Sequence, residues 1–385
     1  MRTGQLWLTQ VAVRAKLARH GLAAPPPPLN VTFSVTNRCQ SRCRTCGIWR
    51  LYRDDPGLAA TELTLDEIER VFRSMSRTWL FNVSGGEPFL RPDLPAIVEL
   101  ACRHLRPAVV HIPTNALAVD RVVAGVEQIL DAIRRTAPAT RLTLKPSFDG
   151  VGEVHDAIRG VPGNYERVQE LLRRLEPLRR DHPELGVGLG TVVSRWNVRQ
   201  LDGIAEAVDA LAVDSYISEV AENRAEMFNR ESAIGPELAE FAEAMEAFGH
   251  RTAAMMGRRR GLSRITLAFR RQYYDLAVRI LREGRQVLPC HAGLSNVHLS
   301  AYGEVWACCV LGDEASFGNL RDHGYDFQAV WRSARADAVR RDIRAGHCHC
   351  PLANQAYSNL LFSPQALLRV AADVVGPGDG AEPRP

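Results

Sequence analysis

Cys39, Cys43 and Cys46, in the spacing C-x3-C-x2-C, constrain this chain more than any other feature. Three thiolates so close together can hold three corners of a cubane iron–sulfur cluster. The fourth iron is then left without a protein ligand and is open to a small molecule. Zinc is the plainer occupant, but a structural zinc site takes four ligands and is closed. No His or Cys follows Cys46 within the next fifty residues.

The surroundings of the cysteines define a fold. Asn30–Thr36 (NVTFSVT) is short, β-branched and aromatic, and so predicts a buried strand running straight into the cysteine loop. Leu80–Val83 predicts a second strand, which runs into Ser84-Gly85-Gly86-Glu87-Pro88. Further strands are expected at Ala108–Ile112, Arg141–Pro146, Gly186–Val193 and Ser215–Val220. Between them lie helical stretches at Thr64–Ser76, Leu94–His104, Arg121–Arg135, Tyr165–Arg180 and Val198–Ala210, the first opened by a Thr64/Glu67 capping box. Such alternation means βαβ units and a parallel sheet. Sites in such sheets lie at the carboxyl ends of the strands, where these motifs fall.

Length and composition set the bounds. A chain of 385 residues can bury a full α/β core and carry a second small domain. With 48 basic and 44 acidic residues, nothing compels a nucleic-acid partner. No run of eighteen apolar residues exists, so no transmembrane helix is expected. Leu6–Leu22 is apolar but broken by Arg14, Lys16 and Arg19, and lacks a signal-peptide cleavage site. Nine cysteines, clustered rather than dispersed, point to metal in a reducing cytoplasm rather than to disulfides. Cys102, alone in a helix, reads as a small buried hydrophobe.

C-x3-C-x2-C after the first strand, followed by Gly85-Gly86-Glu87-Pro88 after the second, resembles the radical S-adenosylmethionine (radical SAM) enzymes. The resemblance implies a partial (β/α)6 barrel. It also implies a 4Fe–4S cluster on Cys39, Cys43 and Cys46, with SAM chelating the open iron. The Gly85–Pro88 backbone and the Glu87 carboxylate would take the amino group of the methionine moiety; glycine permits close backbone approach and a carboxylate accepts from an ammonium. His111-Ile112-Pro113-Thr114-Asn115 resembles the family's third strand end, with Ala116 where a glycine is common. Ser147-Phe148-Asp149-Gly150, His155-Asp156 and Arg159-Gly160 resemble the S-x-D-G…H-D…R-G run of its peptide- and sulfatase-maturing branches. By that resemblance Ser147 meets the ribose or carboxylate of SAM and Arg159 its carboxylate. Thr45 stands where an aromatic residue usually precedes the third cysteine.

A second group of cysteines, Cys290, Cys308, Cys309, Cys348 and Cys350, lies near the C-terminal end. The segment C-x12-G-x4-C from Cys290 through Gly303 to Cys308 resembles the opening of SPASM/twitch auxiliary-cluster domains. Asn296–Ser300 and Val305–Cys309 alternate as a hairpin, with Tyr302-Gly303 at the turn. Five cysteines suit one auxiliary 4Fe–4S cluster on Cys290, Cys308, Cys348 and Cys350; Cys309 is spare, or replaces one of the last pair. With His347 and His349 nearby, a structural zinc knuckle is the competing reading. Five segments are expected: a helix with a Pro-rich linker (1–29), the barrel (30–235), a helical connector with breaks at Gly249 and Gly257 (236–285), the auxiliary domain (286–360), and a C-terminal helix with a disordered tail (361–385). Arg258-Arg259-Arg260 reads as a solvated face.

The resemblance implies reductive cleavage of SAM to a 5′-deoxyadenosyl radical that abstracts a hydrogen atom from substrate. A one-electron reductant such as flavodoxin or ferredoxin would supply the cluster. In cysteine number and order the chain resembles twitch-bearing dehydrogenases, which implies a two-electron oxidation of a small polar alcohol, sugar- or aminocyclitol-like. Maturation of a ribosomally made peptide is the alternative; only about 24 residues precede the linker, short for a peptide-recognition domain. A third reading is a lipid substrate met at a membrane surface, through Leu6, Trp7, Leu8, Val11, Val13 and Leu17. A non-catalytic iron–sulfur scaffold is the remaining one. Glu219, Glu222 and Arg224, at the end of the sixth strand, are the candidate catalytic residues, or else an ordinary charged helix start.

Overall fold

A computed structural model describes residues 2–258 and 261–375. Six parallel strands follow one another in space as in sequence: β1 (Asn30–Thr36), β2 (Leu80–Gly85), β3 (Val109–Thr114), β4 (Arg141–Pro146), β5 (Leu185–Val193) and β6 (Ser215–Val220). Helices Leu65–Ser74, Leu94–His104, Val119–Thr136, Asn164–Asp181 and Leu201–Ala210 connect them, and helix Leu238–Arg258 follows β6. This is the expected (β/α)6 arrangement. Val31, Phe33 and Val35 of β1 and Phe81 and Val83 of β2 are buried, as strands covered by helices must be. Phe72 joins the layers by packing edge-on against both Phe33 and Phe81. The capping box forms: Thr64 Oγ1 accepts from Glu67 N, and Glu67 accepts from Thr64 N.

The sheet does not stop at β1. β7 (Asn296–Leu299) pairs with it in parallel, and β8 (Glu304–Trp306) and β9 (Ser316–Asn319) add antiparallel strands, giving the order β6-β5-β4-β3-β2-β1-β7-β8-β9. The expected hairpin is present, but its first strand is also the next strand of the barrel sheet. A four-residue strand carries too little pattern to announce a partner 266 residues away, Asn30 against Asn296.

Three other expectations change. Gly249 and Gly257 do not break the connector, because helix Leu238–Arg258 runs through both; the second helix is Leu262–Glu283. An isolated helical glycine costs about 1 kcal/mol, which packing overrides. The apolar run from Leu360 is divided at Ser363-Pro364 into helices Ala353–Phe362 and Pro364–Val375, as a proline at the first helical position allows. Helix Arg2–Arg19 buries Val11 and Ala15 against Leu29 and Phe362. That inward face goes to the protein, while Val13 and Leu17 remain exposed. Residues 259–260 of the arginine run and the tail from 376 lie outside the described residues. Among the described residues no helix is long and apolar enough to cross a membrane.

The proline linker is held at two carbonyls, one of them Pro28 O, which accepts from Thr78 Oγ1 at 3.1 Å. The Trp331 indole donates to Pro26 O at 3.0 Å, and its ring stacks on Phe327 and meets Phe317 edge-on. Trp331→Ala removes that packing and orphans the carbonyl. It should lower unfolding free energy by about 3–5 kcal/mol in denaturant titration.

Candidate active site

The cysteine loop, residues 37–47, is an irregular segment bound to its neighbours from three directions. From β2, Gly86 N donates to Thr36 O (2.7 Å) and Glu87 N to Arg38 O (2.8 Å). From the end of helix Glu153–Arg159, the carbonyls of Arg159 and Ile158 accept from Arg42 N and Arg44 N. From the segment after β6, Met227 O accepts from Gly47 N (2.7 Å), and Asn229 Nδ2 donates to Thr45 O (2.8 Å). The glycines are required by contact. Gly85 has φ +111, and a Cβ there would stand 2.1 Å from Thr36 O; one on Gly86 would stand 2.2 Å from Arg38 O. Gly160, at φ +67, is equally tight on Arg42 O.

Cys39, Cys43 and Cys46 line a cavity of about 440 Å³ at the carboxyl ends of the strands. Gly85, Gly86, Glu87, Asn115, Ser147, Arg159, Glu219, Glu222 and Arg224 line it too, so the expected site residues converge. Pro88 does not; it is buried as the first residue of a short 3-10 turn, where its missing N–H is harmless. The Glu87 carboxylate is turned inward: it accepts from Asn115 N (2.7 Å), Thr114 Oγ1 (3.0 Å) and Phe89 N (3.3 Å). Burial outweighs these bonds and raises its pKa to about 7. Glu87 thus fastens the end of β2 to the end of β3, using most of the acceptor capacity expected to meet an ammonium. Asn115 Nδ2 lies 3.8 Å from Cys39 Sγ. Ala116, in the family's glycine position, sits at φ +61, the left-handed conformation that a glycine takes without strain.

Arg159 pairs with buried Asp149 at 3.1 Å, and Cys43 and Cys39 are close enough to act on its charge. Asp149 Oδ1 also accepts from Val192 N, and Asp149 N donates to His155 Nδ1, so the D-G…H-D…R run forms a scaffold behind the cysteine loop. Glu219 lies in β6, and no helix starts at Glu222 or Arg224. Glu219 lies 3.6 Å from Lys145 Nζ, and Glu222 pairs with Arg224 at 3.0 Å in an irregular segment. Burial raises the Glu222 pKa to about 7, against the pull of Arg224. Sequence reasoning missed Lys145, Arg270, Asn354 and Tyr357, which complete the cavity wall. The last three come from helices beyond the barrel, whose approach no local motif records.

The auxiliary cysteines also gather. Cys290 feels Cys308 and Cys348, Cys308 feels Cys348, and Cys350 feels Cys290 and Cys308. Burial pushes the thiols up in both sets, Cys39 and Cys290 to about 12 and Cys308 to about 11. Holding thiolates there calls for a strong positive centre beside them. Among the described residues, only Glu226, His298 and Cys309 form a group of three whose ligating atoms all lie within 4.8 Å. Neither cysteine set is drawn in to the separation of about 3.8 Å that one tetrahedral zinc imposes on its sulfurs. That spread fits the wider cage of an iron–sulfur cluster. Glu222 faces both places: it lines the cavity and acts on Cys350 and Cys308.

Residues 33–208 match the family model described as Radical SAM superfamily, and residues 290–351 match SPASM, an iron–sulfur cluster-binding domain. The mycofactocin maturase MftC of Mycobacterium ulcerans is 30% identical over 191 residues, 49% of this chain and 46% of that one. The chain thus aligns with about half the length of that relative. The subtilosin biosynthesis protein AlbA of Bacillus subtilis is 22% identical across 82% of this chain and 62% of its own. Streptococcus suis SuiB, solved with S-adenosylmethionine, superposes with a TM-score of 0.57 at 15% identity, over 85% of this chain and 70% of that one, a likeness of fold.

Because Gly86 touches backbone only, Gly86→Ala has no flexible neighbour to displace. The variant should lose about 1–3 kcal/mol of stability and show reduced iron in the first cysteine set after anaerobic reconstitution, read by iron assay and by the visible absorbance of the cluster.

Proposed function

Because the chain belongs to the radical SAM superfamily and carries an SPASM iron–sulfur domain behind its barrel, we propose that it is a maturase that makes a radical modification on a ribosomally synthesised peptide. The observation that carries this reading is the pairing of both domains in one chain. Its likeness to the subtilosin biosynthesis protein extends over most of that pairing, and the mycofactocin protein is named a maturase. Oxidation of a small polar alcohol, the first expectation, rested on cysteine number and order; it has less support than its alternative.

In this reading Cys39, Cys43 and Cys46 hold the first 4Fe–4S cluster, and Cys290, Cys308, Cys348 and Cys350 hold the auxiliary one. Bound cluster and SAM together supply one-electron cleavage and a hydrogen-abstracting radical. The chain's own contribution is to position and to exclude water. Arg159, braced by Asp149, presents its guanidinium to a carboxylate, with Asn115 and Ser147 on the same wall. Arg270, Asn354 and Tyr357 add side chains from outside the barrel to the cavity wall. Glu222 is placed to take a proton from substrate; an auxiliary cluster held by Cys290, Cys308, Cys348 and Cys350 would supply the one-electron acceptor. Glu222 has a pKa suited to taking that proton near neutrality, and it stands between the cavity and Cys350.

Two measurements test the reading. Anaerobically reconstituted protein with SAM and dithionite should release 5′-deoxyadenosine, and Cys43→Ala should release none. Incubation with candidate precursor peptides should then yield a mass-shifted peptide; turnover of small alcohols instead would sink the peptide assignment. Glu222→Gln should retain SAM cleavage while modified product falls by about 10²–10⁴-fold. Since the active base is the ionised form, wild-type product formation should rise with pH through about 7, and this limb should vanish in Glu222→Gln.

A further inference from the structure

We propose that Glu226, His298 and Cys309 form a third metal site, for one zinc ion, at the seam between the barrel and the C-terminal hairpin. The three residues are buried, and their ligating atoms lie within 4.8 Å of one another. They arrive from separate elements: Glu226 from the segment after β6, His298 from β7 and Cys309 from just beyond β8. A carboxylate, an imidazole and a thiolate make a donor set that suits zinc, whose tetrahedral ligands stand about 3.3–3.8 Å apart. Glu226 Oε1 and His298 Nε2 already stand 3.5 Å apart, within that range.

The surroundings are built as a metal site's outer layer is built. Glu226 Oε1 accepts from Ser84 Oγ (2.6 Å) and Ser34 Oγ (3.1 Å), which orient the carboxylate. Ser34 Oγ is also 2.8 Å from His298 Nε2, so one hydroxyl joins the carboxylate and the imidazole. The His298 ring is set by Trp306, 5.2 Å between centroids. Backbone bonds fix two of the ligand-bearing segments to each other, Ala225 N to Val310 O (3.0 Å) and Glu226 N to Cys309 O (3.2 Å).

The site also gives the fifth C-terminal cysteine a place. Cys308 and Cys309 are adjacent but feel different neighbours: Cys348 acts on Cys308, whereas Glu226 and then Arg224 are the charges that act most on Cys309. Zinc here would take no part in electron transfer. It would tie the segment after β6, which holds Gly47 through Met227, to the hairpin that carries Cys308.

The test is metal analysis of the anaerobically purified, cluster-loaded protein by mass spectrometry. About one zinc per chain is expected beside about eight irons. Cys309→Ser and His298→Asn should each lower zinc at least about fivefold while iron stays constant. Zinc below about 0.2 per chain in the wild type overturns the proposal and leaves a hydrogen-bonded cluster without metal. Zinc retained in both variants overturns it too, because the ion then sits in the cluster cysteines. Should Cys309→Ser lose iron as well, His298→Asn decides, since it removes no sulfur: zinc lost with iron intact upholds the site, and zinc kept rejects it.

Discussion

Everything at this site depends on backbone hydrogen bonds that immobilise a loop with no regular structure. Residues 37–47 cannot pack a core of their own, and an irregular segment carrying three cysteines would otherwise fluctuate. The turn after β2, the end of the helix at 153–159 and the segment after β6 each donate or accept main-chain bonds to it. Such bonds are individually worth about 1 kcal/mol, but a loop held at three places cannot open at one without straining the others. Glycine is needed at 85, 86 and 160 because the partner in each case is a carbonyl oxygen too close for any side chain.

The same logic joins the two halves of the molecule. β1 is the central strand in a functional sense: β2 pairs on one side and β7 on the other, so the strand that delivers the first cysteines is in register with the strand that precedes Cys308. The segment 222–229 makes a second connection. It bonds to Gly47 and Thr45 at one end of the cavity and to Cys309 and Val310 at the other. Two parallel linkages fix the separation of the two cysteine sets more firmly than a flexible tether would, which is what transfer between two redox centres requires.

The parts legible in the sequence were those whose signal is local. The six barrel strands, the capping box and the two cysteine groups follow from periodicity, capping chemistry and spacing, each contained in a few residues. Ala116 was legible only as a departure from the family's glycine; its left-handed backbone emerges from the structure. What escaped was made by distant contact. The pairing of β7 with β1 joins Asn30 to Asn296, and neither residue advertises it. Arg270, Asn354 and Tyr357 reach the cavity from helices with no recognisable motif. Glu87 carried a correct motif yet turned its carboxylate into the protein, because the unpaired donors at Thr114 and Asn115 bind it there. Pro88 belongs to the same motif and serves the turn rather than the cavity wall.

Buried polar atoms without partners show where this fold gives up stability. Each costs about 1–3 kcal/mol, and natural structures keep few of them. Arg159 Nε, Glu222 Oε1, Arg224 Nε and Arg270 Nε are all of this kind, and all four residues line one cavity. A core evolving for stability alone would replace them or pair them. Their concentration at the mouth of the barrel is the mark of groups kept for a ligand with both anionic and proton-donating parts. Arginine suits carboxylates, and Glu222, paired with Arg224, suits a group that loses a proton.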